Sequence, residues 1–452
     1  MFAGQERQAP YVCVIGAGSS GIAAAKALHE RGIAFDCFEK GDRIGGNWVF
    51  GNTNKMSSAY RHLYINTSRE RMQYSDYPMP KSYPDFPHHT HIAAYFDDYV
   101  EHFGFRDRIV FNTGVARAEL TNDGLWQVTT DTGDRRMYDA LMVANGHHWN
   151  PRWPEPAFPG EFHGRVMHSH YYVDNKEFDG KNVVVLGMGN SAMDIAVEAS
   201  EVANRTFLAA RRGAWVIPKY LFGKPLDQFI TMAQIPLKLR FRAFEAMLKF
   251  AIGDMERYGL PKPDHRLGQA HPTISGRILD RIVHGAVKPK PNIAELMGDE
   301  VKFTDGSIEK VDVIVYCTGY KVTFPFFDDD FISAPDNDLP LFRRVFKPEI
   351  ASLAFIGLLQ PLGAIMPLAE HQSRWFASYL LGEYALPPRE EMQAEIERER
   401  ERMFRRYVKS KRHTMQVDFD DYLHALRKEI RRGQKRARQR GNQLPIGPRA
   451  RA

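Results

Sequence analysis

Two apolar runs in this chain do not alternate with polar residues. Tyr11–Ile15 (YVCVI) and Val183–Leu186 (VVVL) are short, continuous and rich in β-branched residues. That is the pattern of strands buried on both faces of a parallel sheet. Each leads into a glycine-rich turn and then an alanine-rich stretch of helical character: VIGAGSSG, with Gly16, Gly18 and Gly21, and VLGMGNSA, with Gly187, Gly189 and Ala192. A closing pattern also occurs twice. TTDTGDRRMYDALMVANG reads as strand, turn, strand and then a buried strand reaching Gly146, and FTDGSIEKVDVIVYCTG does the same up to Gly319. The turns lie 171 residues apart and the closing glycines 173 apart, so one architecture is written twice. The pattern predicts an α/β fold of two nested Rossmann-like domains, each a strand, glycine turn and helix unit.

A glycine turn between a buried strand and a helix suits a pyrophosphate, because backbone N–H groups approach it at the helix N-terminus. Two such turns imply two dinucleotides in one polypeptide. The end of the following strand sets which ones. Phe35–Phe38 ends in Glu39, 23 residues after Gly16, and a carboxylate there accepts ribose hydroxyls, as FAD or NAD requires. The matching strand of the second unit, Thr206–Ala210, runs into Arg211 and Arg212, the former 24 residues after Gly187. Guanidinium groups there suit the 2′-phosphate of NADPH. Solvated surface charges are the plainer reading of those arginines. Ser20, Gly21 and Asn190 belong to the two turns and are counted with their nucleotide contacts.

The organisation follows from the repeat. An FAD domain is expected over residues 1–160 and again over 320–430, interrupted by an NADPH domain over 165–318. A largely helical insertion is expected from Leu226 to Ile282 within the NADPH domain. The aromatic, proline- and histidine-rich stretch Met56–His91 reads as irregular structure over a pocket. The proline-rich segment His147–Gly160 reads as a linker. Pro387–Tyr407, with interleaved Glu and Arg, reads as an exposed helix.

Composition refines this picture. At 452 residues, 43% hydrophobic and 26% charged, the chain has ordinary globular usage and length for two domains. No run approaches the ~20 apolar residues of a membrane span. The polar N-terminal residues leave no room for a signal peptide before the first strand. Cys13, Cys37 and Cys317 form no C-x-x-C pair, which excludes dithiol chemistry and argues against a metal. A cytoplasmic, reducing compartment fits. The formal net charge of +6 is concentrated: residues 427–452 hold ten Lys/Arg and one Glu, leaving the remainder at −3. Such a tail could touch nucleic acid or an anionic surface, but residues 431–452 are expected to be a frayed, disordered end.

Between the two turns lies Phe162, Gly164, His168 and Tyr172, in FHGRVMHSHYY. With RIGGNW (43–48), INTSRERMQYSDYPMP (65–80), GMGNSAMDIAVE (187–198), CTGY (317–320), GLLQPLGAIMPLAEHQSRW (357–375) and RHTMQVDF (412–419), the chain resembles the flavin-containing monooxygenases. The resemblance runs from about Val12 to Phe419. Val173 departs from it, standing where the family usually has Lys, Arg or Pro. The resemblance implies that NADPH reduces FAD, that reduced flavin and O2 form a C4a-(hydro)peroxyflavin, and that bound NADP+ shields the adduct from water. One oxygen then passes to a soft nucleophile, an amine nitrogen or a thioether sulfur, as in N,N-dimethylaniline monooxygenases. The cofactor carries that chemistry and the protein supplies orientation and dryness.

Asn66 is the catalytic residue the resemblance implies, beside flavin and nicotinamide; by residue type alone it could instead cap an Asx turn into Thr67–Arg71. Asn47 and Trp48 are expected beside the flavin, with a core plug as the alternative for Trp48, and Thr67 is counted with the cofactor contacts. Ser191 and Asp194 are expected near NADP, with helix capping as their alternative. Gln360 is expected at the flavin edge, Met366 equally in the core, and His168 in a structural role. His88, His89 and His91 lack the accompanying ligands of a metal site. Three other readings remain. Baeyer–Villiger oxygenation of a ketone keeps the fold, but Tyr172-Val173 counts against it. A disulfide reductase lacks its cysteine pair, and an inactive flavin- and NADP-binding protein is opposed by the Asn66 block. The resemblance is to soluble bacterial-type members, with no membrane or nucleic-acid partner; a homodimer is compatible with it.

Overall fold

The computed structural model describes residues 10–229, 237–406 and 413–446. Val12–Ile15 lies inside a six-stranded sheet in the order 346–347, 350–355, 140–143, 12–15, 35–38, 109–110. Its strands pair parallel except the outermost, Phe346–Lys347. Val183–Leu186 belongs to a five-stranded, wholly parallel sheet in the order 287–290, 205–209, 182–186, 313–316, 165–168. Every residue of Val12–Ile15 and Ala140–Val143 is buried, which is why neither run alternates.

The duplicated closing pattern has a structural counterpart. Ala140–Val143 pairs with Val12–Ile15, and Val313–Tyr316 pairs with Val183–Leu186. An antiparallel hairpin feeds each closing strand: Trp126–Thr130 with Arg135–Tyr138, and Glu300–Phe303 with Ile308–Lys310. All strands of the second sheet fall between residues 165 and 316, whereas the first sheet takes strands from both sides of that interval. The alanine-rich helix Ser19–His29 packs on Met366–Leu380, so the returning chain covers the first sheet. Met366 is fully buried there, in the core.

Two expectations are corrected. Residues 226–282 are not largely helical. The segment has one long helix, Leu237–Ile252, then short turns, the strand Thr273–Ile274 and the six-residue helix Ile278–Val283, with residues 230–236 outside the described set. Gly253 and Gly259 take positive φ and each ends a helical stretch, and Gly268 takes positive φ in the non-helical turn that follows. The expected disordered tail is also wrong as far as Gln439. Phe419–Gln439 is one helix, with Tyr422, Leu426, Gly433 and Ala437 buried along one face. Charge counting missed that spacing. Gly433 is pressed against Tyr384, where a Cβ would sit 1.8 Å from Cε2, and Arg436 donates to the Ala385 carbonyl at 3.0 Å. Residues 447–452 lie outside the described set.

Candidate active site

A cavity of about 1810 Å³ joins the two glycine turns. Its wall is built from residues that follow the carboxyl ends of central strands in both sheets: Gly16, Glu39, Ala144, Gly187, Arg211 and Cys317 among them. In open parallel sheets this is where ligands collect. Of the residues expected to touch cofactor, Gly16, Gly18, Ser20, Glu39, Asn47, Trp48, Asn66, Thr67, Gly187, Gly189, Asn190, Ser191, Asp194, Arg211, Arg212 and Gln360 line this one space. Gly21 does not line it. A Cβ on Gly21 would lie 1.7 Å from the Gly16 carbonyl oxygen, so its bareness lets helix and turn close on each other.

The first turn is braced from within. Glu39, 4% exposed, accepts Ala17 N–H at 2.8 Å through Oε2 and Gly41 N–H at 2.7 Å through Oε1. Asn54 adds a longer contact to Oε1 at 3.3 Å. Burial pushes the Glu39 carboxyl up, and these three donors oppose that shift. Oε2 keeps a lone pair free for a ribose hydroxyl. The helix starting at Ser19 has no side-chain cap, so its first N–H groups are left for a phosphate. Gly16 has φ +97°, and a Cβ there would lie 2.7 Å from the Ala144 oxygen. A FAD pyrophosphate and ribose fit this donor and acceptor set.

The second turn differs in its chemistry. Gly189 precedes the helix Asn190–Ala199 and supplies no side-chain cap. The capping alternative for Ser191 and Asp194 therefore fails. Asp194 instead accepts the Tyr60 hydroxyl at 2.5 Å, across 134 residues of sequence. Burial raises its carboxyl to about 6, against the Tyr60 bond and the nearby Lys219 charge. Asn190 Oδ1 accepts Ile274 N–H at 2.9 Å, tying the turn to the strand Thr273–Ile274. Arg211 and Arg212 are both exposed at the cavity rim. Arg212 lies 3.7 Å from Asp264, and Arg211 has no ion-pair partner among the described residues. A 2′-phosphate fits this pair.

Asn66 stands on the wall of the cavity that both turns share. Its amide has no hydrogen-bond partner among the described residues, and it is only half-buried. The Asx-turn alternative fails for a specific reason: the Ser68 N–H that such a turn would recruit is taken by Asp227 Oδ2 at 2.6 Å. Asn47, by contrast, is committed. Its Oδ1 accepts Ser58 N–H at 2.8 Å and Ser58 Oγ at 2.9 Å. Trp48 lines the cavity while packing on the first core. Gln360 sits on a short strand paired with Gln416–Asp418.

The linking motif does structural work. His168 is fully buried, its Nδ1 accepts His170 N–H at 3.1 Å, and burial lowers it to about 4. Tyr172 donates to Glu198 on the helix of the second turn. His88 bonds Thr90 and the Arg61 carbonyl, and His89 also approaches that carbonyl. Among the described residues no three His, Cys, Asp or Glu side chains gather as a metal site, and no helix is long and apolar enough to cross a membrane. Tyr60, Lys219 and Asp227 carry no local pattern that marks them. They are single polar residues in irregular stretches, and only the fold brings them together.

Comparison with known proteins agrees with this geometry. Residues 9–435 match the family model described as flavin-binding monooxygenase-like. The chain is 39% identical over 436 residues to flavin-containing monooxygenase 5 of Rattus norvegicus, covering 91% of this chain and 81% of that one. It is 35% identical over 441 residues to the N-oxide-forming dimethylaniline monooxygenase 2 of Mus musculus, covering 93% and 82%. The structure of S-allyl-L-cysteine S-oxygenase from Allium sativum superposes with a TM-score of 0.71 at 27% identity, covering 95% of this chain and 92% of that one. With two nucleotide turns opening on one cavity and matches of this length, the chain belongs to the flavin-binding monooxygenase-like family: it is an FAD- and NADPH-dependent monooxygenase.

Proposed function

We propose that the protein transfers one oxygen atom from O2 to a soft nucleophile, an amine nitrogen or a thioether sulfur. The observation that carries this is the unpartnered Asn66 amide in a cavity shared by both glycine turns. In this reading FAD lies along Gly16, Gly18, Ser20 and Glu39, with its ring near Asn47, Trp48, Thr67 and Gln360. NADPH lies along Gly187, Gly189, Asn190, Ser191 and Asp194, with its 2′-phosphate on Arg211 and Arg212. Residues 1–160 and 320–430 form the FAD domain, and 165–318 the inserted NADPH domain.

Bound FAD would accept reducing equivalents from NADPH and activate O2. The chain's own residues would do the rest. Asn66 offers two donors and one acceptor, enough to hold the nicotinamide amide and the reacting oxygen in register. Trp48, Ile65, Leu359 and Pro361 give the same cavity apolar wall, which disfavours water there. No paired catalytic carboxylates are required. The relatives named for N-oxide formation and for S-oxygenation both take soft nucleophiles, which supports the substrate class. We also infer a reducing, cytoplasmic setting, supported by Cys13 and Cys37, which are buried as free thiols on adjacent strands.

The test is product analysis with a thioether, a tertiary amine and a ketone, alongside NADPH and O2 consumption. A sulfoxide or N-oxide formed one-for-one with NADPH is expected. An ester or lactone from the ketone as the main product would move the protein to Baeyer–Villiger chemistry. Asn66→Ala is expected to keep NADPH oxidation but divert it to H2O2, with product per NADPH falling by about tenfold or more, the scale of one lost hydrogen bond in a dry site. Unchanged coupling would remove Asn66 from this role.

A further inference from the structure

Two side chains from one hairpin grip the backbone on either side of Asn66. Tyr220–Leu221 pairs with Lys224–Pro225, and Leu226 N–H closes onto the Lys219 carbonyl at 2.9 Å. Lys219, just before this hairpin, donates from Nζ to the Ile65 carbonyl at 3.1 Å. Asp227, just after it, accepts Ser68 N–H through Oδ2 at 2.6 Å. The bonded positions, 65 and 68, bracket Asn66 and Thr67. A charged donor thus holds one end of the turn and a charged acceptor the other. The same hairpin is pinned from outside as well. Tyr220 donates to Asp85, its ring meets Phe86 edge-on at 5.5 Å, and Lys219 Nζ lies 5.0 Å above the Phe86 ring.

The other end of this path reaches the second glycine turn. Arg211 and Arg212 precede Lys219 by eight and seven residues. Between them Val216–Ile217 pairs with Thr273–Ile274, the strand that Asn190 holds. Lys219 also faces Asp194 on the helix of that turn, and each acts on the other's charge. Burial disfavours the Lys219 ammonium, and Asp194 helps to retain it.

We propose that Lys219 and Asp227 are positioning residues that set the Asn66 turn from the NADPH side, so that nucleotide on the second turn tightens Asn66. This rests on the reading of Asn66 given above. The two residues need not touch the reacting atoms. They fix the backbone on which the amide is carried, and a small displacement of that amide spoils its register.

The experiment compares Lys219→Met, Lys219→Arg, Asp227→Ala and Asp227→Asn with wild type and with Asn66→Ala, all as flavin-loaded full-length protein. Product per NADPH is read first. Lys219→Met and Asp227→Ala are each expected to lower it by about threefold to tenfold, the net scale of one ordinary hydrogen bond, because they act on Asn66 only through its backbone. Lys219→Arg and Asp227→Asn keep a donor and an acceptor and should recover most of it. Hydrogen–deuterium exchange of a peptide spanning residues 65–72, with and without NADP+, is read second. NADP+ should slow exchange there in wild type, and Lys219→Met and Asp227→Ala should lose most of that protection while retaining flavin. Wild-type coupling and protection in both variants, with Asn66→Ala uncoupled, would overturn the clamp but keep Asn66. Wild-type coupling in Asn66→Ala would instead overturn the reading beneath it.

Discussion

The two nucleotide turns share a backbone plan and differ in where they keep their charge. The first turn holds Glu39 inside, 4% exposed, with both oxygens on backbone N–H groups of its own loops. The second has no such internal brace and instead presents Arg211 and Arg212, both exposed, at the rim. Their third positions differ too. Gly21 admits no Cβ, whereas Ala192 carries one that sits an ordinary 3.4 Å from where a Cβ on Gly187 would be. A tightly closed turn with its acid buried suits a resident cofactor. A looser turn with cations facing solvent suits a nucleotide that arrives and leaves, since exposed charge aids capture while being weakened by salt.

The harshest way to break this comparison is Gly21→Ala. The new methyl would meet the Gly16 oxygen at 1.7 Å, so turn and helix must separate. Overlap with backbone has no rotamer escape, and a loss of about 3 kcal/mol or more is expected. The purified variant should be nearly colourless, with its ratio of flavin to protein absorbance down by about tenfold or more. The mirror change, Ala192→Gly, should cost only about 1 kcal/mol through backbone entropy and keep the flavin. Equal flavin loss in both variants would mean that the turns do not divide the work in this way.

The contrast between the turns was largely legible in the chain, because it rests on residue type at fixed offsets: glycines after a buried strand, an acid or a cation after the next. The parallel sheets were legible for the same reason, since runs such as VCVI and VVVL have no polar face. The surroundings were not. Tyr60 meets Asp194 across 134 residues and Asp227 meets Ser68 across 159, and neither contact leaves a local pattern. The helix Phe419–Gln439 was misread because seven Lys/Arg dominate its composition from Arg427 on, while its buried face there is carried by small residues such as Gly433 and Ala437. Burial of a glycine against Tyr384 depends on a partner some 50 positions away.

A change of intermediate size sharpens the second turn. Arg211→Ala should raise the KM for NADPH by about tenfold to a hundredfold, the range of a lost charged hydrogen bond to phosphate, and leave kcat close to wild type. The KM for NADH should hardly move, so the preference for NADPH collapses. Arg212→Ala should do less, because Arg212 is already drawn towards Asp264 at 3.7 Å. The Arg211 effect should shrink as salt rises, whereas flavin content should not respond. If the KM for NADH rises as much as that for NADPH, the arginines act on something other than the 2′-phosphate.

The smallest expected effect separates the buried acids of the two turns by pH. Burial raises both carboxyls, but Glu39 has three N–H donors opposing the rise, whereas Asp194 has the Tyr60 hydroxyl and reaches about 6. Because the folded value of Asp194 lies above its usual 3.8, the folded state binds its proton more tightly than the unfolded state does. Its contribution to stability is therefore full below pH 3.8 and is lost as pH rises through about 6. Asp194→Asn removes that titration and keeps an acceptor for Tyr60. Relative to wild type, the variant should gain stability on going from pH 5 to pH 8, by about 1 kcal/mol. In a chain of this size that is a relative shift of only about 1–2 °C in Tm, measurable as the difference between two melting curves at each pH. Glu39→Gln is expected to lose flavin at both pH values, because an amide in place of one oxygen cannot accept both the Ala17 and the Gly41 N–H. An Asp194→Asn curve that runs parallel to wild type from pH 5 to pH 8 would show that the second turn's acid does not titrate in that range, and pH would then not separate the two turns.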